Sequence, residues 1–243
     1  MTVRLVGFAL IVFAYALGAM PLAYVMARRW AGVDLHEVGS GSVGATNVMR
    51  TAGWPLGLLV LVFDLLKGAV AVWIAGRVLA FITGLPLAEI ATFYPGPEPR
   101  ATIGFGLGTG IDPVLSGSLY AAFVASTGVA VIVGHVYPLT LGFRGGKGVA
   151  TASGVFAMLA PHAALLSVVA FAIVAWTTRY VSLGSLAGAV VLPLACAASA
   201  EVPETLLASC GAAIIIVLRH RENLNRLHAG TEPRFGRQFS EHG

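Results

Sequence analysis

Two glycine-rich stretches carry cations in a pattern suited to holding an anion. Gly134–Gly154 reads GHVYPLTLGFRGGKGVATASG, with Arg144 and Lys147 set among glycines, and Val38–Arg50 reads VGSGSVGATNVMR. Glycine lets backbone N–H groups come close to an anion, and a helix starting just beyond adds positive potential at its N-terminus. Arg completes such a site by a two-pronged contact, Lys as a point charge. Two sites of this kind imply two phosphate-bearing ligands, or one ligand with two phosphates. Either loop taken alone is equally well read as a tight turn with topology-setting cations.

Neither stretch reads as a nucleotide loop. GSGSVG, from Gly39 to Gly44, matches the dinucleotide pattern letter for letter, but no strand precedes it and no βαβ unit fits around it. GFRGGKGVAT misses the Walker spacing and lacks Ser or Thr after Lys147.

A third polar stretch, LRHRENLNRLHAGTEPR, covers Leu218–Arg234, and a smaller one, TRYVSLGS, lies between apolar runs. In the third, Arg219, Asn223 and Arg226 follow i, i+4, i+7 spacing, with His220 three residues before Asn223. That stripe either faces a polar site or anchors an interfacial helix to anionic headgroups. Asp64 and Lys67, at i, i+3 inside an apolar run, are a functional candidate in a membrane or a self-neutralising pair. His135 is either a site lining or a satisfied interface histidine; His162 reads as structural and His36 as surface. Cys196 and Cys210 are too few and too isolated for a disulfide framework or a zinc site.

The elements that position these residues must be membrane helices. The chain has 243 residues, 57% apolar and 11% charged, with a mean hydropathy of +0.85. Soluble domains carry about 25% charged residues, so an ordinary solvated surface is excluded. The expected fold is all-α, an integral membrane protein of about seven transmembrane helices in a single domain over 1–243. The expected spans are Val3–Ala27, Trp54–Ile82, Gly117–Tyr137, Gly148–Ala160, His162–Thr178, Ser182–Ala200 and Pro203–Leu218. The first run is too long for a signal-peptide core and reads as a retained span. YPGPEP and GFGLGTG make 84–117 a long external loop, and 235–243 is expected to be a flexible cytoplasmic tail.

Seven spans put the termini on opposite sides. Arg28, Arg29, Arg50, Arg144, Lys147, Arg179, Arg219, Arg221, Arg226, Arg234 and Arg237 then share one side. Arg4, Arg77 and Arg100 lie on the other, and Lys67 lies within a span. Cations favour the cytoplasm, so the N-terminus is expected outside and the C-terminus inside. All the polar stretches then fall on the cytoplasmic face, which favours the anion reading over turns alone.

GSGSVGATNVMR, GHVYPLTLGFRGGKGVAT and HRENLNRLHAGTE together resemble, in order and approximate spacing, the signature segments of the bacterial acylphosphate-dependent glycerol-3-phosphate acyltransferases, the PlsY type. The resemblance extends over much of the chain between them. It implies a multi-pass enzyme of the bacterial inner membrane with a cytoplasmic active site. Such an enzyme moves a fatty acyl group from acyl phosphate to the 1-hydroxyl of glycerol 3-phosphate, giving lysophosphatidic acid and inorganic phosphate, the entry to phospholipid synthesis. Carried over by motif position, Lys147, His220 and Arg50 are the expected catalytic residues. Ser40, Asn47, Arg144, Gly145, Gly146, Gly148, Ser185, Asn223 and Glu232 are expected to bind substrate. Ser42 stands where the family usually has Asn, and Arg144 where it commonly has Lys; the 84–117 segment is also atypical. The implied partners are the two substrates, the bilayer and an upstream enzyme that makes acyl phosphate; no metal, cofactor or nucleic acid is expected.

Acyl phosphate is a mixed anhydride with a good leaving group, so direct attack needs no covalent nucleophile. No obvious nucleophile–base pair is present, and none of the six histidines starts an H-x-x-x-x-D motif. Catalysis by positioning and charge stabilisation is therefore expected. The proton acceptor is either His220 or a substrate phosphate. Alternatives are an acyltransferase with another donor or acceptor, and an organic-phosphate transporter, which would favour midplane polar sites and repeated halves.

Overall fold

The computed structural model describes residues 2–83 and 113–235. These form α1 (Thr2–Gly18), α2 (Leu22–Ala31), α3 (Ala45–Thr51), α4 (Trp54–Thr83), α5 (Pro113–Val136), α6 (Val149–Leu159), α7 (Pro161–Thr178), α8 (Val181–Ala198), α9 (Pro203–Arg219) and α10 (Arg221–His228). A single 3-10 turn, Leu139–Leu141, follows α5, and the described residues contain no strand. Of the expected external loop, 84–112 lie outside the described residues, whereas 113–117 already belong to α5. The expected tail lies outside them from 236 onward.

Five segments are long and apolar enough to cross a membrane: Thr2–Ala31, Trp54–Thr83, Gly117–Leu141, Pro161–Thr178 and Val181–Ala198. A sixth arises if α9 and α10, bent by 52°, are counted together. The remaining expected span, α6, has 11 residues and reaches only about 16 Å at 1.5 Å per residue. That is half of a roughly 30 Å hydrocarbon layer. α6 is nonetheless at the centre, with Thr151, Ala152, Gly154, Val155 and Phe156 buried. Phe8, Trp73, Phe81 and Trp176 point outward, as a lipid-facing surface requires.

Small residues set the closest helix approaches. A Cβ on Gly68 would collide with Thr151 O, and one on Gly154 with Leu65 O, so α4 and α6 touch backbone to backbone. Gly18 meets Val131 O and Gly134 meets Tyr15 O in the same way, joining α1 to α5.

The first apolar run is interrupted at Ala19–Pro21, where proline offers no N–H to continue the ladder. Thr140 Oγ1 donates to Ala19 O at 2.8 Å, and Lys67 Nζ donates to Gly18 O at 3.4 Å. Side chains from distant segments thus cap the carbonyls at the break, as the absence of water demands.

Candidate active site

The glycine loop is built by tying its first half down and leaving its second half open. Gly145 N–H donates to Val136 O (3.2 Å) and Gly146 N–H to His135 O (3.1 Å). On the carbonyl side, Arg219 reaches Gly145 O at 3.2 Å and Gly146 O at 3.4 Å, its guanidinium 5.5 Å from the Tyr137 ring centre. Both amides expected to hold phosphate here are therefore already engaged. These two glycines clear space instead: a Cβ on Gly146 would run into the His135 ring, and one on Gly145 into His135 O. The open half begins at Lys147. Gly148, with φ +86°, is the N-cap of α6 and supplies no side-chain cap, so the first α6 amides face the cavity lined by Lys147, Gly148, Val149 and Ala150.

The Val38–Arg50 stretch is shaped by Asn47. Its Oδ1 accepts the Ser40 N–H at 2.9 Å, and its Nδ2 donates to Leu35 O and Val38 O at 3.3 and 3.2 Å. Asn47, expected to bind substrate, lines the cavity, and its amide holds the turn that presents Ser40. Arg50, near the end of α3, is half-buried at the cavity edge.

At the α9–α10 bend, His220, Asn223 and Glu232 are buried. His220 Nδ1 lies 2.8 Å from Ile216 O, which can only accept, so Nδ1 carries the proton and the Nε2 lone pair is free. Burial, reinforced by the Lys147 cation, pulls His220 down to about 4, leaving it neutral near pH 7. Lys147 Nζ donates to Asn223 Oδ1 at 2.5 Å, and Asn223 Nδ2 to Glu232 Oε1 at 2.6 Å. Arg226 Nε closes the chain on Glu232 Oε2 at 2.8 Å. Burial opposes ionisation of Glu232, but Ser182, Asn223 and Arg226 beside it outweigh that and hold it below the usual carboxylate value. Lys147 is lowered to about 8, chiefly by burial, with Glu232 pulling the other way and Arg226 and Arg50 adding to the drop. The bend also breaks the stripe expected along this segment. Arg219 turns to the loop carbonyls, Asn223 to the cavity and Arg226 to Glu232.

These parts enclose one half-open cavity of about 610 Å³. Ser40, Arg50, Lys147, Gly148, Ser185, His220, Asn223 and Glu232 all line it, with Ser185 Oγ donating to Val181 O at 2.9 Å within its own helix. Arg144 is exposed and outside the lining, and Gly145 and Gly146 border a separate water-sized space of about 10 Å³. The mouth is cationic. Deeper in, Phe156, Ala164, Val168, Phe171, Ala189 and Leu192 make an apolar groove along α7 and α8.

Several lining residues were missed by the sequence reading. Trp54, Ser182, Arg234 and Phe235 all face the cavity. Arg234 Nε donates to Tyr180 OH at 3.0 Å, Phe235 N–H to Arg179 O at 2.7 Å, and the Phe235 ring stands 6.4 Å from Trp54. This strap spans the mouth between α4 and the α7–α8 turn. An aromatic and a cation close to Glu232 were its only trace in the sequence. Among the described residues, no three His, Cys, Asp or Glu side chains gather as metal ligands.

A family model described as glycerol-3-phosphate acyltransferase matches residues 8–230. The chain belongs to the glycerol-3-phosphate acyltransferase family. It is 39% identical over 237 residues to the glycerol-3-phosphate acyltransferase of Anaeromyxobacter sp. (strain K), covering 96% of this chain and 98% of that one. The enzyme of Geobacter sulfurreducens is 38% identical over 222 residues, 91% of this chain and 94% of its own. The fold matches the crystal structure of PlsY, an integral membrane glycerol 3-phosphate acyltransferase, in its glycerol 3-phosphate form. That match has a TM-score of 0.73 and 34% identity over 95% of this chain and 96% of that one. The lysophosphatidic acid form of PlsY matches with a TM-score of 0.71 and 33% identity over 95% of each chain. The chain is thus a helical integral membrane protein of an acyltransferase family.

Proposed function

We propose that the protein transfers the acyl group of a fatty acyl phosphate to the 1-hydroxyl of glycerol 3-phosphate, yielding lysophosphatidic acid and inorganic phosphate. The reaction takes place at the cytoplasmic face of the bacterial inner membrane, with the N-terminus outside, and an enzyme that makes acyl phosphate acts upstream. The observation that carries this reading is the continuity of a cationic mouth with an apolar groove in one cavity. An acyl phosphate needs both environments on either side of one carbonyl. Its phosphate fits the α6 N-terminus beside Lys147, and its tail the groove between α7 and α8. Arg50 and Ser40 lie across the mouth to receive the phosphate of the acceptor.

The acceptor oxygen bonds to the carbonyl carbon, and the bond from that carbon to the phosphate oxygen breaks with its electron pair on phosphate. Lys147 and the α6 amides stabilise the growing charge. His220, with its free Nε2 lone pair, takes a hydrogen bond from the attacking hydroxyl and orients it. Burial pulls the imidazole down from its ordinary value, whereas the phosphate released as the bond breaks gains an electron pair on oxygen and is itself a base. The departing phosphate therefore carries the proton away.

The deciding experiment is phosphate release from palmitoyl phosphate by the purified protein, with and without glycerol 3-phosphate, with lipid products analysed in parallel. Release that depends on the acceptor and equals lysophosphatidic acid formed is the expected result. Well-folded protein that makes no ester with this donor overturns the reading.

A further inference from the structure

A buried polar cluster beneath the glycine loop plays no part in the chemistry above. Asp64 and Lys67 come from α4 and His135 from the end of α5, with exposures of 5%, 8% and 7%. Lys67 Nζ lies 2.7 Å from Asp64 Oδ1 and 2.6 Å from His135 Nδ1, while Nδ1 is 3.4 Å from the same carboxylate oxygen. An ammonium group has protons to give and no lone pair to offer. Of the two contacts of Nδ1, that to Lys67 at 2.6 Å is shorter than that to the Asp64 carboxylate at 3.4 Å; with Lys67 as the donor, the neutral ring carries its proton on Nε2. The three donors of Lys67 are then matched to Asp64, His135 and Gly18 O.

That leaves Nε2–H. No hydrogen bond within the described residues reaches it. The ring tip lies against Gly146, where a Cβ would overlap Nε2, and His135 borders both the main cavity and the water-sized space beneath the loop. Among the described residues the sealed and unpartnered side-chain atoms are Thr151 Oγ1, Ser182 Oγ and Glu201 Oε1; Nε2 of His135 is not one of them and keeps an opening on the cavity side, where a ligand entering beside the loop can accept from it.

We infer that His135 is a further substrate-binding residue of this site, its Nε2–H donating to a phosphate oxygen of the ligand seated at Lys147 and the α6 N-terminus. Lys67 and Asp64 are positioning residues: they fix which ring nitrogen carries the proton. Gly146 is glycine so that the ring tip can reach past it. This inference rests on the proposed phosphate chemistry of the cavity, and its test separates the two.

His135→Asn and His135→Gln divide the ring's two ends. The Asn amide sits where Nδ1 was and still satisfies Lys67, but places nothing at Nε2; the Gln amide reaches the Nε2 position. In the full-length protein, H135N is expected to raise KM for palmitoyl phosphate by about 10–10², with KM for glycerol 3-phosphate unchanged, and H135Q to recover most of that loss. A role confined to satisfying Lys67 predicts the reverse order. H135N with an unaltered KM for palmitoyl phosphate overturns the inference; a shift confined to glycerol 3-phosphate overturns the assigned ligand. An inactive unsubstituted protein would count against the transferase reading, and a second measurement then decides His135 without turnover. With isotope-labelled histidine in the unsubstituted protein, His135 should show the Nε2–H tautomer, and its Nε2 resonance should move on adding inorganic phosphate. An Nδ1–H tautomer, or a resonance indifferent to phosphate, overturns the inference.

Discussion

Lys147 is the residue on which most of the site's electrostatics converge, because it meets Asn223, faces the α6 N-terminus and is short of solvent. Its replacement by Ala should lower kcat by about 10²–10³ if it acts on charge developing on the leaving phosphate; a loss below tenfold in steady-state assays refutes that role. The ammonium is protonated below its lowered value of about 8 and loses its charge above it. The kcat/KM for acyl phosphate should therefore fall as pH rises through about 8, and Lys147→Arg, which does not deprotonate in that range, should abolish that alkaline limb in whatever activity remains. Lys147, Arg50 and His220 stood out in the sequence as candidates, because a cation among glycines and a polar stripe after an apolar run are local patterns, while their expected roles came from the resemblance; the fold brings all three to one cavity. Asn47 and Gly145 were less legible. Their types matched an anion site, but only the fold shows the Asn47 amide bonded to Ser40, Leu35 and Val38, and the Gly145 N–H to Val136.

At the scale of elements, the placement of Lys147 depends on how closely α6 lies against α4. Gly154→Ala would drive a methyl group into Leu65 O, and overpacking of this kind costs about 1–3 kcal/mol. Thermal unfolding in detergent should show a lowered Tm together with reduced activity. Gly211→Ala is the matched control, since nothing lies within 4 Å of its would-be Cβ; it should leave Tm unchanged or raise it. Hydropathy found the apolar runs but not their form. Pro21 was visible, yet the run around it reads as one span, because averaged hydropathy does not register one missing N–H. The 11 residues of α6 read as a span for the same reason, although a helix buried in protein needs no full bilayer length. Asp64 and Lys67 were legible as a pair. That His135 completes them was not, since nothing local links α4 to the end of α5.

For the whole molecule, the polar stretches that are far apart in sequence meet at one end of the bundle, where one cavity collects residues from Ser40 to Phe235. The cation asymmetry in the sequence anticipates that convergence, and it also sets the expected orientation. With Cys196 and Cys210 replaced, a single cysteine at Thr2 should react with a membrane-impermeant thiol reagent on intact cells. One at Arg29, at the far end of the same broken span, should react only after permeabilisation. The opposite pattern would invert the topology and put the cavity mouth outside.

The interrupted first span bears on how the chain is made. Gly18 and Ala19 present carbonyls that are met by Lys67 and by Thr140, residues the ribosome adds long after the first segment has left it. Until Lys67 arrives within α4, and Thr140 after α5, these two carbonyls lack the partners they have in the finished fold. The broken span is therefore expected to reach its final form only with its partners in place, not as it enters. Thr140 stands 121 residues beyond Ala19, so the last partner of this span comes from well down the chain.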